Sequence, residues 1–202
     1  MGKTLRVVIA EDEEYMRRFL KGALTRLGHE VVGVAETGTE LVEICSSSRP
    51  DLVLTDIKMP DMDGLEAARR IYTAATVPII VVTAHHELAY VERAAENHIA
   101  AYLVKPIKAS HLGPAITIVM KRFEEFLELR KETEDLRQAL EDRKVIEKAK
   151  GVLMREAHLE ENEAFRRLQK LASQKSLKLA ALARMILDTA EVLRPPSGPE
   201  PT

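Results

Sequence analysis

The apolar positions in the first half of the chain follow two alternating patterns. Short runs rich in Val, Ile and Leu predict strands, and longer segments with apolar residues at helical spacing predict helices. The predicted strands cover 5–10, 30–35, 52–55, 78–83 and 100–104. The predicted helices follow the first four strands, around 15–27, 41–45, 65–71 and 88–96. Strands that alternate with helices in this way predict an α/β fold with a doubly wound, five-stranded parallel sheet.

A single long helix is predicted after the sheet, over residues 110–143. Apolar residues recur at a 4-3 spacing from Leu112 to Phe126, and the spacing resumes after a phase slip at Leu136 and Leu140. This pattern predicts a coiled-coil linker helix that continues the last helix of the α/β domain. A second copy of the chain, forming a homodimer, is the expected partner of the apolar stripe. The alternative is that the stripe packs on the chain's own C-terminal helices.

Three shorter helical segments follow in the last part of the chain. Their apolar positions lie within 143–154, 164–172 and 179–186. They predict a small three-helix all-α domain over 143–193. The segment 195–202 is rich in Pro and is predicted to be a disordered tail.

The charge of the chain changes sign along its length. The whole chain has a formal net charge of -2, so no global field attracts it to nucleic acid or to a membrane. Residues 143–184, in contrast, contain eleven basic and five acidic side chains. A contact with nucleic acid is therefore expected only from this local basic region.

The apolar runs and the single cysteine bear on where the protein works. No run approaches the roughly 18 apolar residues that a membrane span needs. The first residues lead directly into a core strand, without an apolar leader segment. Cys45 cannot form an internal disulfide and is expected to be a helix packing position. These features predict a cytoplasmic protein without a membrane partner.

Polar side chains stand at the ends of four of the five predicted strands. Glu11 and Asp12 follow the first strand, Asp56 follows the third, Thr83 ends the fourth, and Lys105 follows the fifth. The carboxyl ends of parallel strands form the edge of a sheet at which ligands bind. Three carboxylates at this edge would repel one another unless a cation held them, and Mg²⁺ binds carboxylates together with water and phosphate oxygens. The set therefore predicts a phosphoryl-transfer site.

Each of these side chains has an expected part in such a reaction. Asp56 is the expected nucleophile, which would form an aspartyl phosphate. Lys105 and Mg²⁺ would neutralise the phosphoryl oxygens in the transition state. Thr83 would then hydrogen-bond one of these oxygens.

The motifs around these residues resemble the receiver domain of two-component response regulators, a flavodoxin-like domain. The resemblance covers residues 5–120. It rests on VIAEDE at 8–13, DIKMPDMDG at 56–64, VTA at 82–84 and YLVKP at 102–106.

The resemblance adds a ligand set, a partner and a switch to this interpretation. It implies that Asp12, Asp56 and the backbone carbonyl of Lys58 bind Mg²⁺ directly, with Glu11 acting partly through water. It also implies that a sensor histidine kinase donates the phosphoryl group. A switch formed by Thr83 and Tyr102 would then reposition the face of the last strand and helix.

The C-terminal region resembles a second family, the ANTAR output domain of transcription antitermination regulators. The resemblance runs from about residue 130 to 190 and rests on RKVIEKAKGVLM at 143–154, EAFRRLQKLA at 163–172 and LA at 182–183. It implies binding, usually as a dimer, to paired hairpins with short loops in leader RNA. The RNA-binding residues expected within the motif are Arg143, Ile146, Ala149, Lys150, Gly151 and Met154.

Helical geometry divides the basic residues of this first motif between two faces. At about 100° per residue, Arg143 and Lys150 share one face, whereas Lys148 and Arg155 share another. We expect RNA on the Arg143–Lys150 face, because the resemblance places these residues within the family motif. Lys148 and Arg155 are expected to form a solvated face.

The favoured interpretation is a response regulator that is phosphorylated on an aspartate and binds leader-RNA hairpins to prevent transcription termination. One alternative is a response regulator whose last two helices bind DNA as a helix-turn-helix. Another is a phosphatase that uses Asp56 as its nucleophile, but Lys58 stands where such an enzyme requires a second aspartate. We therefore expect a regulator and not an enzyme.

Overall fold

The computed structural model of the chain describes residues 3–84 and 99–192. The helix predicted at 88–96 and the tail predicted at 195–202 lie outside the described residues. The chain divides into two compact units, Met1–Leu127 and Glu128–Thr202.

The first unit contains a parallel sheet of five strands in the order β2-β1-β3-β4-β5. Each strand begins and ends within one residue of its predicted bounds. All four neighbouring pairs are parallel, which confirms the predicted α/β fold. The strands are β1 (Arg6–Ala10), β2 (Glu30–Ala35), β3 (Leu52–Thr55), β4 (Ile79–Thr83) and β5 (Ala101–Val104).

Six helices lie within the described residues. They are α1 (Glu14–Arg26), α2 (Gly38–Ser48), α3 (Gly64–Ala74), α4 (Ala109–Ala157), α5 (Glu161–Gln174) and α6 (Leu179–Val192). The motif that follows Asp56 also starts α3, because the side chain of Asp63 accepts a hydrogen bond from the backbone N–H of Glu66 at 2.7 Å. Such a cap satisfies a donor that the first helical turn leaves without a partner.

The central strands are buried on both faces of the sheet. All residues of β3 and β4 are buried, as are four of the five in β1. One core packs the sheet against α1 and the start of α4, and a second core packs it against α2 and α3. Near-continuous apolar strands are typical of parallel sheets with helices on both sides.

The apolar stripe of α4 has two parts with different surroundings. Leu112, Ile116 and Val119 are 0–3% exposed and belong to the core of the first unit. The prediction that the dimer stripe starts at Leu112 is therefore wrong, because these three residues pack against the sheet. Further along the stripe, Phe126 is 41% exposed, and Leu136 and Leu140 are about 60% exposed.

The second unit has a small core of its own, built from three helical segments. Ala149 of α4 packs with Leu168 and Ala172 of α5 and with Leu182 and Ala183 of α6. The helix that precedes this core is continuous, because α4 runs without a break to Ala157. Among the helices of the described residues, none combines the length and apolar character that crossing a membrane requires.

Candidate functional site

The register of the sheet brings two acidic loops together. Ala10 of β1 is paired with Thr55 of β3, so the residues that follow them, Glu11 and Asp56, leave the sheet side by side. The backbone N–H of Asp56 donates to the carbonyl oxygen of Ala10 at 2.9 Å, which extends the strand pairing to the site. The predicted convergence of these strand ends follows directly from parallel pairing.

Lys105 reaches this site from the end of β5. Its Nζ donates to Asp56 Oδ2 at 2.6 Å and to Glu11 Oε1 at 3.0 Å. Its backbone N–H donates to the carbonyl oxygen of Thr83 at 2.8 Å, so the ends of β4 and β5 are also joined. Burial lowers the pKa of Lys105, but the hydrogen bonds and charges of Asp56 and Glu11 raise the pKa above its ordinary value overall. The side chain therefore carries a positive charge beside the predicted nucleophile.

Glu11, Asp12 and Asp56 form the acidic cluster. One carboxylate oxygen from each lies within 4.8 Å of the other two. Burial raises the pKa of Glu11 to about 7, because the hydrogen bond from Lys105 offsets only part of the desolvation and the charge of Asp56 adds to it.

This cluster fits a divalent cation. Glu11 is 1% exposed, and its Oε2 lies 2.8 Å from Lys105 Nζ, the ammonium group that also pairs with Asp56. The three clustered carboxylates can therefore carry more negative charge than this one ammonium group neutralises, and a divalent cation would balance it. Oxygen donors that converge within this space are the ligands that Mg²⁺ prefers.

The backbone after β3 fixes the carboxylate of Asp56. Its Oδ1 accepts hydrogen bonds from the backbone N–H groups of Ile57 at 2.5 Å and Lys58 at 3.3 Å. The Lys58 side chain is exposed. A Cβ atom at Gly64 would overlap the backbone carbonyl oxygen of Asp56, so only glycine permits the start of α3 to approach this closely.

The two predicted switch residues lie on neighbouring strands. Thr83 is fully buried at the end of β4, where it is paired with Val104 of β5. Tyr102 precedes Val104 by two residues and is partly buried, with Ile57 in the same small cluster. The structure therefore places Tyr102 on the same edge strand that Lys105 follows.

The RNA-binding residues predicted from the second motif differ in their exposure. Arg143 is exposed, and Gly151 and Met154 are partly exposed. Ala149 has no exposed surface, and Ile146 is partly buried against the same core. The structure corrects the expectation that Ala149 contacts RNA, because its small side chain packs between helices.

Lys150 is engaged within the protein. Its Nζ lies 2.8 Å from Glu161 Oε1, at the start of α5, and 2.5 Å from Glu147 Oε2. The residue is 9% exposed. The hydrogen bonds and charges of these carboxylates raise the pKa of Lys150 above its ordinary value. This side chain links α4 to α5.

An open groove lies beside the other basic face of α4. Lys148 and Arg155 are exposed and line it, and its volume is about 670 Å³. Gly151 and Val152 of α4 and Leu187 of α6 complete much of its wall. The groove therefore combines two exposed basic side chains with apolar side chains and with the acidic Glu147, on the face that was expected from sequence to be solvated.

Comparison with known proteins defines the class of this protein. Residues 7–117 match the response regulator receiver domain, and residues 134–187 match the ANTAR domain. The chain therefore belongs to the response regulators, and it combines a receiver domain with an RNA-binding class of output domain. Both matched domains are regulatory.

The relatives of the chain agree with this assignment. The transcriptional regulatory protein PdtaR of Mycobacterium tuberculosis is 41% identical over 184 residues, which cover 91% of this chain and 90% of PdtaR. The chemotaxis protein CheY of Thermotoga maritima is 38% identical over 122 residues, which cover 60% of this chain and 100% of CheY. Among solved structures, the signal receiver domain of a modulated diguanylate cyclase from Desulfovibrio desulfuricans G20 superposes with a TM-score of 0.58. That alignment is 31% identical and covers 60% of this chain and 98% of the other.

Proposed function

We propose that the protein is a cytoplasmic, phosphorylation-controlled RNA-binding regulator. A sensor histidine kinase phosphorylates Asp56, and the C-terminal helices bind hairpins in leader RNA and thereby prevent transcription termination. The observation that carries the first step is the 2.6 Å ion pair between Lys105 and Asp56 beside the acidic cluster. The match of residues 134–187 to the ANTAR domain supports the second step.

The phosphoryl transfer follows from the geometry around Asp56. A carboxylate oxygen of Asp56 attacks the phosphorus of a phosphohistidine, and the P–N bond breaks with its electron pair going to the imidazole. The backbone N–H groups of Ile57 and Lys58 hold the carboxylate in a fixed orientation. The ammonium group of Lys105 neutralises charge on the phosphoryl oxygens, which is where such transition states gain most of their stabilisation.

Mg²⁺ would be held by the acidic cluster and would neutralise further charge on the phosphoryl oxygens. Asp12, Asp56 and the backbone carbonyl of Lys58 are the proposed direct ligands. Glu11 acts partly through water, and its buried carboxylate lies in the same cluster as Asp12 and Asp56.

Labelling with radioactive acetyl phosphate tests the phosphorylation site. Wild-type protein should be labelled only when Mg²⁺ is present, and hydroxylamine should remove the label because it cleaves acyl phosphates. Asp56→Asn should lose the label. Asp61→Asn is the matched control, since Asp61 is an exposed aspartate of the same loop. Labelling of Asp56→Asn to the wild-type extent would show that the phosphoacceptor lies elsewhere.

We place the proposed RNA surface on the exposed part of the α4 motif. Lys148, Gly151 and Arg155 line the open groove, and Met154 is partly exposed on the same helix. Arg143 remains a candidate phosphate contact because it is exposed. Basic side chains beside a concave surface that includes apolar side chains suit phosphate contact together with recognition of splayed loop bases.

Phosphorylation controls this surface through the receiver domain and through dimerisation. The phosphoryl group adds negative charge and strong acceptors, which Thr83 follows inwards. Tyr102 then moves on β5 and alters the face formed by β5 and the start of α4. This change favours a homodimer through the exposed apolar residues between Phe126 and Leu140.

A direct comparison of nucleic acids tests the output. Phosphorylated protein should shift a leader RNA with two hairpins in a gel, and it should not shift a DNA duplex of the same sequence at tenfold higher protein concentration. A stronger shift of the duplex would favour DNA binding by α5 and α6 in place of RNA binding.

A further inference from the structure

One arginine of α1 holds the loop that carries two of the three clustered carboxylates. Nη1 of Arg17 donates to the backbone carbonyl oxygens of Glu11 at 2.8 Å and Asp12 at 2.6 Å. Its Nη2 donates to Glu36 Oε1 at 2.6 Å, just after β2. The Arg17 side chain is only 13% exposed. A single side chain thus joins the β1–α1 loop to the end of the neighbouring strand.

The hydrogen bonds from Arg17 add to others that hold the backbone of the β1–α1 loop. The N–H of Glu11 donates to the carbonyl oxygen of Ala35 at 3.1 Å, so Glu11 is held from both sides of its peptide. Asp12 comes one residue later and is held through its carbonyl oxygen by Arg17. A guanidinium group suits this task because its donors form a rigid planar fork.

We propose that Arg17 is a positioning residue for the metal site. It holds the backbone of Glu11 and Asp12 so that their carboxylates converge with that of Asp56. The inference rests on the proposed Mg²⁺-dependent phosphorylation. The contribution of Arg17 is geometric, because its charge is already paired with Glu36 and its contacts in the loop are to neutral carbonyl groups.

Isothermal titration calorimetry of Mg²⁺ binding to the full chain tests this role. Arg17→Lys keeps the positive charge but loses the fork that reaches both carbonyl groups and Glu36. We expect its Kd for Mg²⁺ to rise about tenfold or more, as is typical when an outer-shell partner of a metal site is removed. Arg18→Lys is the matched control, since Arg18 is 80% exposed and pairs with Glu14. Its Kd should stay within twofold of wild type.

Two further variants distinguish the effect of the carbonyl hydrogen bonds on the Kd for Mg²⁺ from the effect of the ion pair with Glu36. Glu36→Gln removes the charge partner and leaves both carbonyl bonds, so we expect a change in Kd of less than threefold. Arg17→Met removes all three bonds and should weaken Mg²⁺ binding at least as much as Arg17→Lys.

The rate of labelling by acetyl phosphate distinguishes positioning from a general loss of stability. At saturating Mg²⁺, the rate of labelling of Arg17→Lys should be within about threefold of the wild-type rate. At low Mg²⁺, its rate should fall in proportion to the fraction of its metal sites that are occupied. The role is refuted if Arg17→Lys has a lower urea midpoint but an unchanged Kd for Mg²⁺. Failure of the wild-type protein to bind Mg²⁺ would instead refute the proposed function, and this inference with it.

Discussion

Lys105 Nζ and Asp56 Oδ2 lie 2.6 Å apart, although the two residues are separated by 49 positions in the sequence. They meet because both follow parallel strands, and Lys105 is also within hydrogen-bonding distance of Glu11. The ammonium group thus occupies the side of the acidic cluster that faces β5. Lys105 and Mg²⁺ therefore compete, because Asp56 pairs with Lys105 and is also a proposed direct ligand of Mg²⁺.

Replacing Lys105 should therefore have two opposite effects. In Lys105→Met, the Kd for Mg²⁺ should fall several-fold, because the carboxylates lose a competing cation. The rate of labelling by acetyl phosphate should fall about 10²-fold, the usual cost of removing a group that stabilises transition-state charge. Calorimetry and labelling measure the two quantities. Lys108→Met, at an exposed position nearby, is the control, and an unchanged labelling rate in Lys105→Met would contradict the assigned role.

The basic face used for RNA can be identified with two paired variants. Lys148→Ala/Arg155→Ala should weaken binding to a two-hairpin leader RNA and should reduce the salt dependence of binding by about 1.5 units of slope. Arg143→Ala/Lys150→Ala should lower the urea midpoint, because it leaves Glu147 and Glu161 without their partner. Fluorescence anisotropy at several salt concentrations measures the slopes. A larger loss of slope in the second pair than in the first would restore the face expected from sequence.

Dimerisation should depend on the exposed part of the α4 stripe. Leu136 and Leu140 are 61% and 60% exposed, so each places an apolar side chain in water unless a partner covers it. Leu136→Glu/Leu140→Glu should keep the phosphorylated protein monomeric in analytical ultracentrifugation, whereas wild type should dimerise. Gln138→Glu adds a charge to the same segment as a control and should leave dimerisation intact. Wild-type sedimentation that is identical with and without phosphorylation would remove dimerisation from the mechanism.

The stability of the first unit should fall in mild acid because of His29. Burial holds the pKa of His29 below its ordinary value of 6.5, and the neutral Nδ1 lies 3.4 Å from the backbone N of Leu5, from which it accepts a hydrogen bond. At pH values between the lowered pKa of His29 in the folded chain and 6.5, the imidazole of the unfolded chain binds a proton and that of the folded chain does not. The stabilisation is therefore present above pH 6.5 and is lost as pH falls through the folded-state pKa. The urea midpoint should fall more between pH 7.5 and pH 5.5 in wild type than in His29→Gln. An equal fall in the two proteins would show that His29 is not the source of the lost stability.

The sheet and the site could be predicted because both depend on the same rule. Strands buried on both faces appear in the sequence as continuous apolar runs, and parallel strands deliver their following residues to one edge. The convergence of Glu11, Asp56 and Lys105 could therefore be predicted without any knowledge of side-chain geometry. The role of Arg17 could not be predicted in this way, because Arg17 binds backbone carbonyl groups. Every residue has such a group, so no sequence pattern indicates which arginine binds it.

Helical spacing alone could not show which surfaces of α4 pack inside the protein and which are exposed. A 4-3 repeat arises both in a coiled coil and in a helix that packs on a sheet, so Leu112 and Val119 could not be told from Leu136. The same limit applies to Ala149 and Lys150. Angular position groups residues by face, but which face turns towards α5 and α6 depends on tertiary packing.

The central claim is that phosphorylation of the receiver domain controls binding of RNA by the output domain. The most direct measurement is the Kd for a fluorescent two-hairpin leader RNA, by anisotropy, with the full chain in Mg²⁺ with and without acetyl phosphate. We predict that acetyl phosphate tightens binding by wild type at least tenfold and leaves Asp56→Asn unchanged. Equal affinities of wild type in the two states, with labelling of Asp56 verified in the same sample, would contradict the account.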